Sequence, residues 1–162
     1  MNEEEKILGT IPGVYLKGGF FKNKNCTLVV TNKRIIMAEV TKSLLKEEKR
    51  KKREELKKEG KGRIKQFLSS LSIYTYFHKR YLNMNPDVIV KESPGNFFLT
   101  LDDIKRIKLK RGKVTYDDEG DEFQEPHLLI IVSSSKKEFK FNFSADFNST
   151  KRLLSQFYGR TL

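Results

Sequence analysis

The chain has one cysteine, Cys26, so it forms no internal disulfide, and a reducing, cytoplasmic setting is the simplest expectation. It has no long apolar run. The longest is Leu128-Leu129-Ile130-Ile131-Val132, whereas a membrane-spanning helix needs about 20 such residues. The acidic start Met1-Asn2-Glu3-Glu4-Glu5 does not read as a signal peptide. There are only two histidines, His78 and His127. A metal site needs several ligands at workable spacing, so no metal centre is nominated, and His78 reads as a core or edge residue on the apolar face of a helix. Cys26 reads as a small buried hydrophobe. No nucleophile with its base and no catalytic residue can be named. Gly60-Lys61-Gly62 and Gly18-Gly19 lack the P-loop pattern and read as hinges or turns. No cofactor is implied.

What is present is charge. The 162 residues carry 33 Lys and Arg against 21 Asp and Glu, a net of +12. That balance favours acidic partners and says nothing of fold. It is uneven: residues 41–83 hold 14 basic and 5 acidic residues, net +9, and the remainder nets only +3.

Around that segment the pattern is β. Val14 to Phe21 reads as a first strand with a bulge at Gly18-Gly19. Residues 26–31 and 34–40 read as a hairpin turning at Asn32-Lys33. Later strands are expected over 96–101, 104–110, 127–133 and 138–143, the last with Phe139, Phe141 and Phe143 at period two. A terminal helix follows, with the stripe Phe147, Leu153, Leu154, Phe157 and Tyr158 and with Asp146 or Asn148 as N-cap.

Lys42 to Glu59 reads as a helix rich in Lys, Glu and Arg. Glu47/Lys51, Glu48/Lys52 and Glu54/Lys58 are spaced for i,i+4 pairs, and only Leu44, Leu45 and Leu56 are apolar, so most of this helix should project into solvent. A second helix is expected over about 63–82, apolar around more of its circumference than one contact needs, and ended by Pro86. The acidic run Asp117 to Glu122 lacks the ligand alternation of a calcium loop and reads as a solvated loop between two strands. Its opposite charge also suggests that it folds over the basic helix and masks it.

Leu28-Val29-Val30-Thr31-Asn32-Lys33-Arg34-Ile35-Ile36-Met37 resembles the strand–turn–strand signature of the bacterial PH-like and GRAM-like branch of the pleckstrin-homology superfold. Thr100-Leu101-Asp102-Asp103-Ile104 is similar to that branch's later short motif. The resemblance covers about residues 5–40 and 96–160, and the segment 41–90 is a departure from it. It implies an α+β fold: one PH-like domain over 1–162, an antiparallel β-barrel or sandwich of about seven strands capped by a C-terminal helix, with an inserted basic helical hairpin. It also implies an adaptor without catalytic chemistry. Fold alone does not establish that.

The expected function is a non-enzymatic adaptor acting through another protein or a second copy of itself. Its interface would be the insertion's Phe67, Leu71, Tyr74, Phe77 and Tyr81. The alternative is docking on an anionic membrane surface through Lys49, Arg50, Lys51, Lys52 and Arg53, with Phe67, Tyr74, Phe77 and Tyr81 at the interface. Lys17, Lys22 and Lys24 join that reading by the resemblance, since many PH-like domains receive a lipid headgroup near their first strand–strand loop. Nucleic-acid binding by the basic helix is a second alternative, weakened by the interleaved glutamates and by the lack of a known recognition motif. Arg34 reads as part of the hairpin edge.

Overall fold

The computed structural model describes residues 3–18, 23–59 and 76–159. Seven strands build one antiparallel sheet: β1 (Ile7–Lys17), β2 (Lys24–Thr31), β3 (Arg34–Glu39), β4 (Phe97–Thr100), β5 (Ile104–Lys110), β8 (His127–Ser133) and β9 (Glu138–Phe143), in the order β4-β3-β2-β1-β9-β8-β5. A separate two-stranded ribbon pairs β6 (Val114–Tyr116) with β7 (Glu122–Gln124). The seven-stranded antiparallel sheet and its C-terminal helix are as expected and compatible with a PH-like fold. The barrel alternative is not found: β4 and β5 are the two edges of the sheet and are not hydrogen-bonded to each other.

The sheet still encloses one interior. Residues of period two turn inward from nearly every strand: Val14 and Leu16, Leu28 and Val30, Ile35 and Met37, Leu129 and Ile131, Phe139, Phe141 and Phe143. Phe97 of β4 meets Phe139 of β9 with ring centroids 5.2 Å apart, so opposite parts of the sheet touch across the core. The last helix, α3 (Phe147–Tyr158), contributes Leu154 and Phe157 to the same cluster. Asp146 is its N-cap, accepting from Ser149 N at 2.7 Å, and this hydrogen bond holds the carboxyl below its usual range.

The hairpin signature is explained by its hydrogen bonds. Thr31 Oγ1 accepts from Lys33 N at 3.0 Å and from Arg34 N at 2.9 Å, which closes the turn, and donates to Glu5 Oε1 at 2.8 Å. Asn32 exchanges hydrogen bonds with the backbone of Glu4 and Lys6. Arg34 takes both oxygens of Glu5 at 2.9 Å, reaches Asp87 at 2.6 Å and lies over Phe98. It is a structural arginine. Partial burial works against its charge, but the hydrogen bonds it donates to Glu5 and Asp87 outweigh that and raise its pKa. In the second motif, Asp103 accepts from the backbone and hydroxyl of Thr100 and is held below the usual carboxylate range by them.

Several expectations are corrected. The first strand is Ile7–Lys17, not Val14 to Phe21, and its register shifts lie between Ile7 and Gly9 and between Ile11 and Val14. Pro12 lacks an N–H and Gly13 takes a positive φ of 60°, so the strand bulges there and continues. Residues 19–22 lie outside the described residues. Pro86 follows a helical stretch that stops at Asn83, as expected, but it also starts the next element. It opens the short helix α2 (Pro86–Lys91) behind the N-cap Asn85, because a proline at the first helical position loses no hydrogen bond. Of the expected second helix, residues 63–75 lie outside the described residues, and His78–Asn83 forms a 3-10 helix.

The insertion covers the other side of β2 and β3. Val29, Ile36 and Ala38 form a second buried cluster with Leu45 of α1 (Lys42–Lys58), Phe77 and Tyr81, and Ile89 of α2. The start of α1 is therefore anchored, while its remaining length is largely exposed, as expected from its composition. Thr41 caps it, accepting from Leu44 N at 3.1 Å.

Candidate functional site

Helix α1 places four of its cations on one side. Lys46, Lys49, Arg50 and Arg53 recur at three- and four-residue intervals, the spacing that places side chains over one another on a helix. Together with Ser43 and Glu47 they line an open cleft of about 520 Å³. Lys46, Lys49 and Arg53 have no ion-pair partner among the described residues, whereas Arg50 holds Glu54 at 2.8 Å and Lys51 holds Glu47 at 3.0 Å. Lys51 depresses the pKa of the exposed Glu47 through that hydrogen bond. Lys52 turns the other way: it pairs with Glu55 at 2.8 Å and stands 4.5 Å from the Tyr76 ring, and its pKa is raised by the hydrogen bonds to both.

Of the expected intrahelical pairs, Glu47–Lys51 forms. Glu48 instead faces Arg80 at 3.5 Å, because it sits on the side of α1 that meets the returning chain. Arg80 also pairs with Glu92 at 2.6 Å, and Glu92 accepts from the Tyr81 hydroxyl at 3.1 Å. Burial, with the Glu92 charge beside it, pushes the Tyr81 hydroxyl well up. This network ties α1, the 3-10 helix and the end of α2 into one cover.

The expected interface residues fare differently. Phe77 is 1% exposed and Tyr81 0% exposed; they pack edge to face with centroids 5.7 Å apart inside the second core. Neither is available to a partner or a bilayer, because both side chains are spent on the sheet. Phe67, Leu71 and Tyr74 lie outside the described residues, as does Lys22. Lys17 and Lys24 are not brought together. Lys24 is paired across β1 with the inward-facing Leu16 and bonds Glu39 at 3.4 Å, whereas Lys17 is exposed on the opposite side of the sheet.

The acidic segment is not a plain loop. It is the tip of the β6–β7 hairpin, and it does not mask α1. Asp117 Oδ1 accepts from Glu119 N and Asp121 N, and the tip carboxylates form no ion pair with α1 among the described residues. Cys26 is 1% exposed and its thiol is pushed up to about 12 by burial, which removes it as a nucleophile at neutral pH. His78 accepts or donates one hydrogen bond with Thr10 at 2.8 Å. His127 is buried between Phe143 and Phe147, and its Nδ1 accepts from Gly112 N at 2.9 Å. Among the described residues no group of three or more His, Cys, Asp or Glu converges as metal ligands, and no helix is long and apolar enough to cross a membrane.

One cationic surface escaped the sequence reading: the outer side of β5, β8 and β9, where Lys108, Lys110 and Lys140 are exposed. Its only signal was lysine at alternate positions, the ordinary mark of a solvated strand face.

No family model matches the chain, and no curated protein matches it.

Proposed function

We propose that the chain is a non-enzymatic binding module of the PH-like, GRAM-like kind, whose inserted helix α1 docks an acidic segment of a partner protein. The observation that carries this reading is the line Lys46, Lys49, Arg50 and Arg53 along one open cleft, on a helix fixed at its base by Leu45 and by the Glu48–Arg80 pair. Cations held on an anchored helix lose little freedom on binding. Of the four aromatics that the membrane alternative would bring to the surface, Phe77 and Tyr81 are buried, and Phe67 and Tyr74 lie outside the described residues. Glutamates 47, 54 and 55 already take up half of the neighbouring cations, which weighs against a nucleic-acid backbone.

The test is a titration of a fluorescent polyglutamate peptide in a salt series, beside anionic vesicles and single-stranded DNA. The expected result is salt-sensitive peptide binding that K46E/K49E/R53E weakens by more than about tenfold. Binding to anionic vesicles alone would transfer the reading to the membrane, and equal binding by the reversed variant would end it.

A further inference from the structure

Among the described residues no buried cluster lies over the outer side of β9, β8 and β5, or over β1 at Tyr15 and Lys17, although earlier in β1 Thr10 bonds His78 of the insertion. Register places the side chains of this outer side in rows across the strands. Lys108 lies beside Ile130, Ile130 beside Lys140, and Lys140 beside Lys17. The next row runs Lys110, Leu128, Asn142 and Tyr15, and the row on the other side runs Arg106, Val132 and Glu138. Thus β8 supplies an apolar line, Leu128, Ile130 and Val132, flanked by Arg106, Lys108 and Lys110 on one side and by Lys140 and Lys17 on the other. Five cations face one carboxylate, Glu138, which reaches Lys140 at 3.4 Å. Lys17 directly opposite Lys140 is an unfavourable like-charge cross-strand pair. This face lacks an acidic counterpart of its own.

Such a counterpart exists elsewhere on the chain. The β6–β7 hairpin is an arm that leaves the sheet between β5 and β8, and it is built to be stiff. At its base, Gln124 Nε2 donates to the carbonyls of Gly112 and Glu125, both at 3.0 Å, and Glu125 N donates to Lys113 O at 2.9 Å. A side chain at Gly112 would fall on the backbone carbonyl of Glu125, so only glycine lets the two strands approach there. At its tip, Asp117 organises the turn and Gly120 takes φ +86°. Asp118, Glu119, Asp121 and Glu122 make no ion pair among the described residues. The stem exposes Tyr116 at 68%, Phe123 at 59% and Val114 at 45%. A lone two-stranded ribbon is marginal in water, and aromatic side chains held out on a stiff support are what interfaces are made from.

We propose that the arm of one copy lies on the open basic face of a second copy, in a two-fold dimer where each chain gives its arm and receives the other's. The carboxylates of the tip meet the lysines of β5 and β9, and Val114 and Tyr116, which share one face of the stem, meet the apolar line of β8. Because every chain holds both elements, a two-fold axis satisfies both contacts at once and closes the assembly. This surface is distinct from the α1 cleft.

Light scattering after size exclusion, over a concentration series at low and high salt, tests it. The wild type is expected to dimerise at low salt and dissociate as salt rises. K108E/K110E/K140E and D118K/E119K/D121K, which leaves Asp117 and its turn intact, should each raise the dimer dissociation constant by more than about tenfold. Mixing the two reversed variants should restore a heterodimer, since every arm then meets a face of opposite charge. If a reversed variant does not fold, the neutral sets K108Q/K140Q and D118N/E119Q/D121N should weaken the dimer in the same direction. K46E/K49E/R53E should leave it unchanged. A wild type that is monomeric throughout, a dimer that survives both reversals, or a mixture that stays monomeric overturns the proposal.

Discussion

The two outer sides of the sheet are treated in opposite ways. Over β2 and β3, Val29, Ile36 and Ala38 are 0% exposed beneath Leu45, Phe77, Tyr81 and Ile89. Over β5, β8 and β9 the same side of the same sheet is open, and lysines stand where the helices would be. The strands announce the difference in their own patterns. Cys26 to Thr31 and Ile35 to Ala38 are unbroken buried runs, the mark of a strand covered on both sides. In β9, Glu138 to Phe143 alternates, and in β5 Ile107 to Lys110 does so after an irregularity between Ile104 and Arg106, the mark of a strand covered on one side. Run against alternation thus separates β2 and β3 from β9, while β8 departs from it: Leu128 to Val132 is an apolar run whose outward Leu128 and Ile130 are only half-buried.

The largest way to break this contrast is Tyr81→Ala. It should cost about 3–5 kcal/mol in chemical denaturation, the usual range for a buried aromatic, and should raise hydrogen exchange in β2 and β3 before β8 and β9. Arg80→Ala comes next, at about 2–3 kcal/mol, since it leaves Glu92 and Glu48 facing each other without their cation; Glu92→Gln in the same background should recover part of the loss. Thr41→Ala removes the cap of α1 and should cost about 1 kcal/mol, read from the same denaturation curves.

Acid should act on both halves alike, through Asp103 and Asp146. Their pKa values are depressed in the fold, so the stability they add is present above the unfolded pKa and is lost as pH falls through the folded one. Asp146→Asn, which keeps a capping oxygen but does not titrate, should flatten the acid limb of a melting-temperature profile. The smallest effect belongs to the open side: Lys108→Glu with Lys140→Glu should shift the stability of the monomer by no more than about 0.5 kcal/mol, and a larger loss would mean that this face is already covered.

Much of the sheet was legible in the residues. Strands 104–110 and 127–133 and the cap at Asp146 fall where the pattern puts them, because alternation and capping are local signals. What failed was of two kinds. Short polar strands such as Val114–Tyr116 and Glu122–Gln124 are too brief to show a period, so the hairpin arm read as a loop. The partner of an apolar face is not a local property either: the pattern around Phe77 and Tyr81 showed a surplus of apolar surface but not that β2 and β3 would absorb these two side chains. The unbroken run from Cys26 to Thr31 was the matching signal. For the site, the basic run was visible as composition, while its alignment along one side of α1 and the lysine rows across β5, β9 and β1 depend on geometry and register.

One last consequence concerns the length of the excursion between β3 and β4. Met37 is paired with Phe97, so residues 40–96 leave the sheet and return to the neighbouring strand. In polymer terms this is a hairpin with a very long loop, and halving such a loop changes its closure entropy by only about 0.6 kcal/mol. Chain length is therefore free to vary here, but coverage is not. A shortened chain that rejoins β3 to β4 by a tight turn would close readily and would leave Val29, Ile36 and Ala38 facing water. The sheet would survive the cut as a fold and fail as a soluble surface unless those three positions were made polar in the same step.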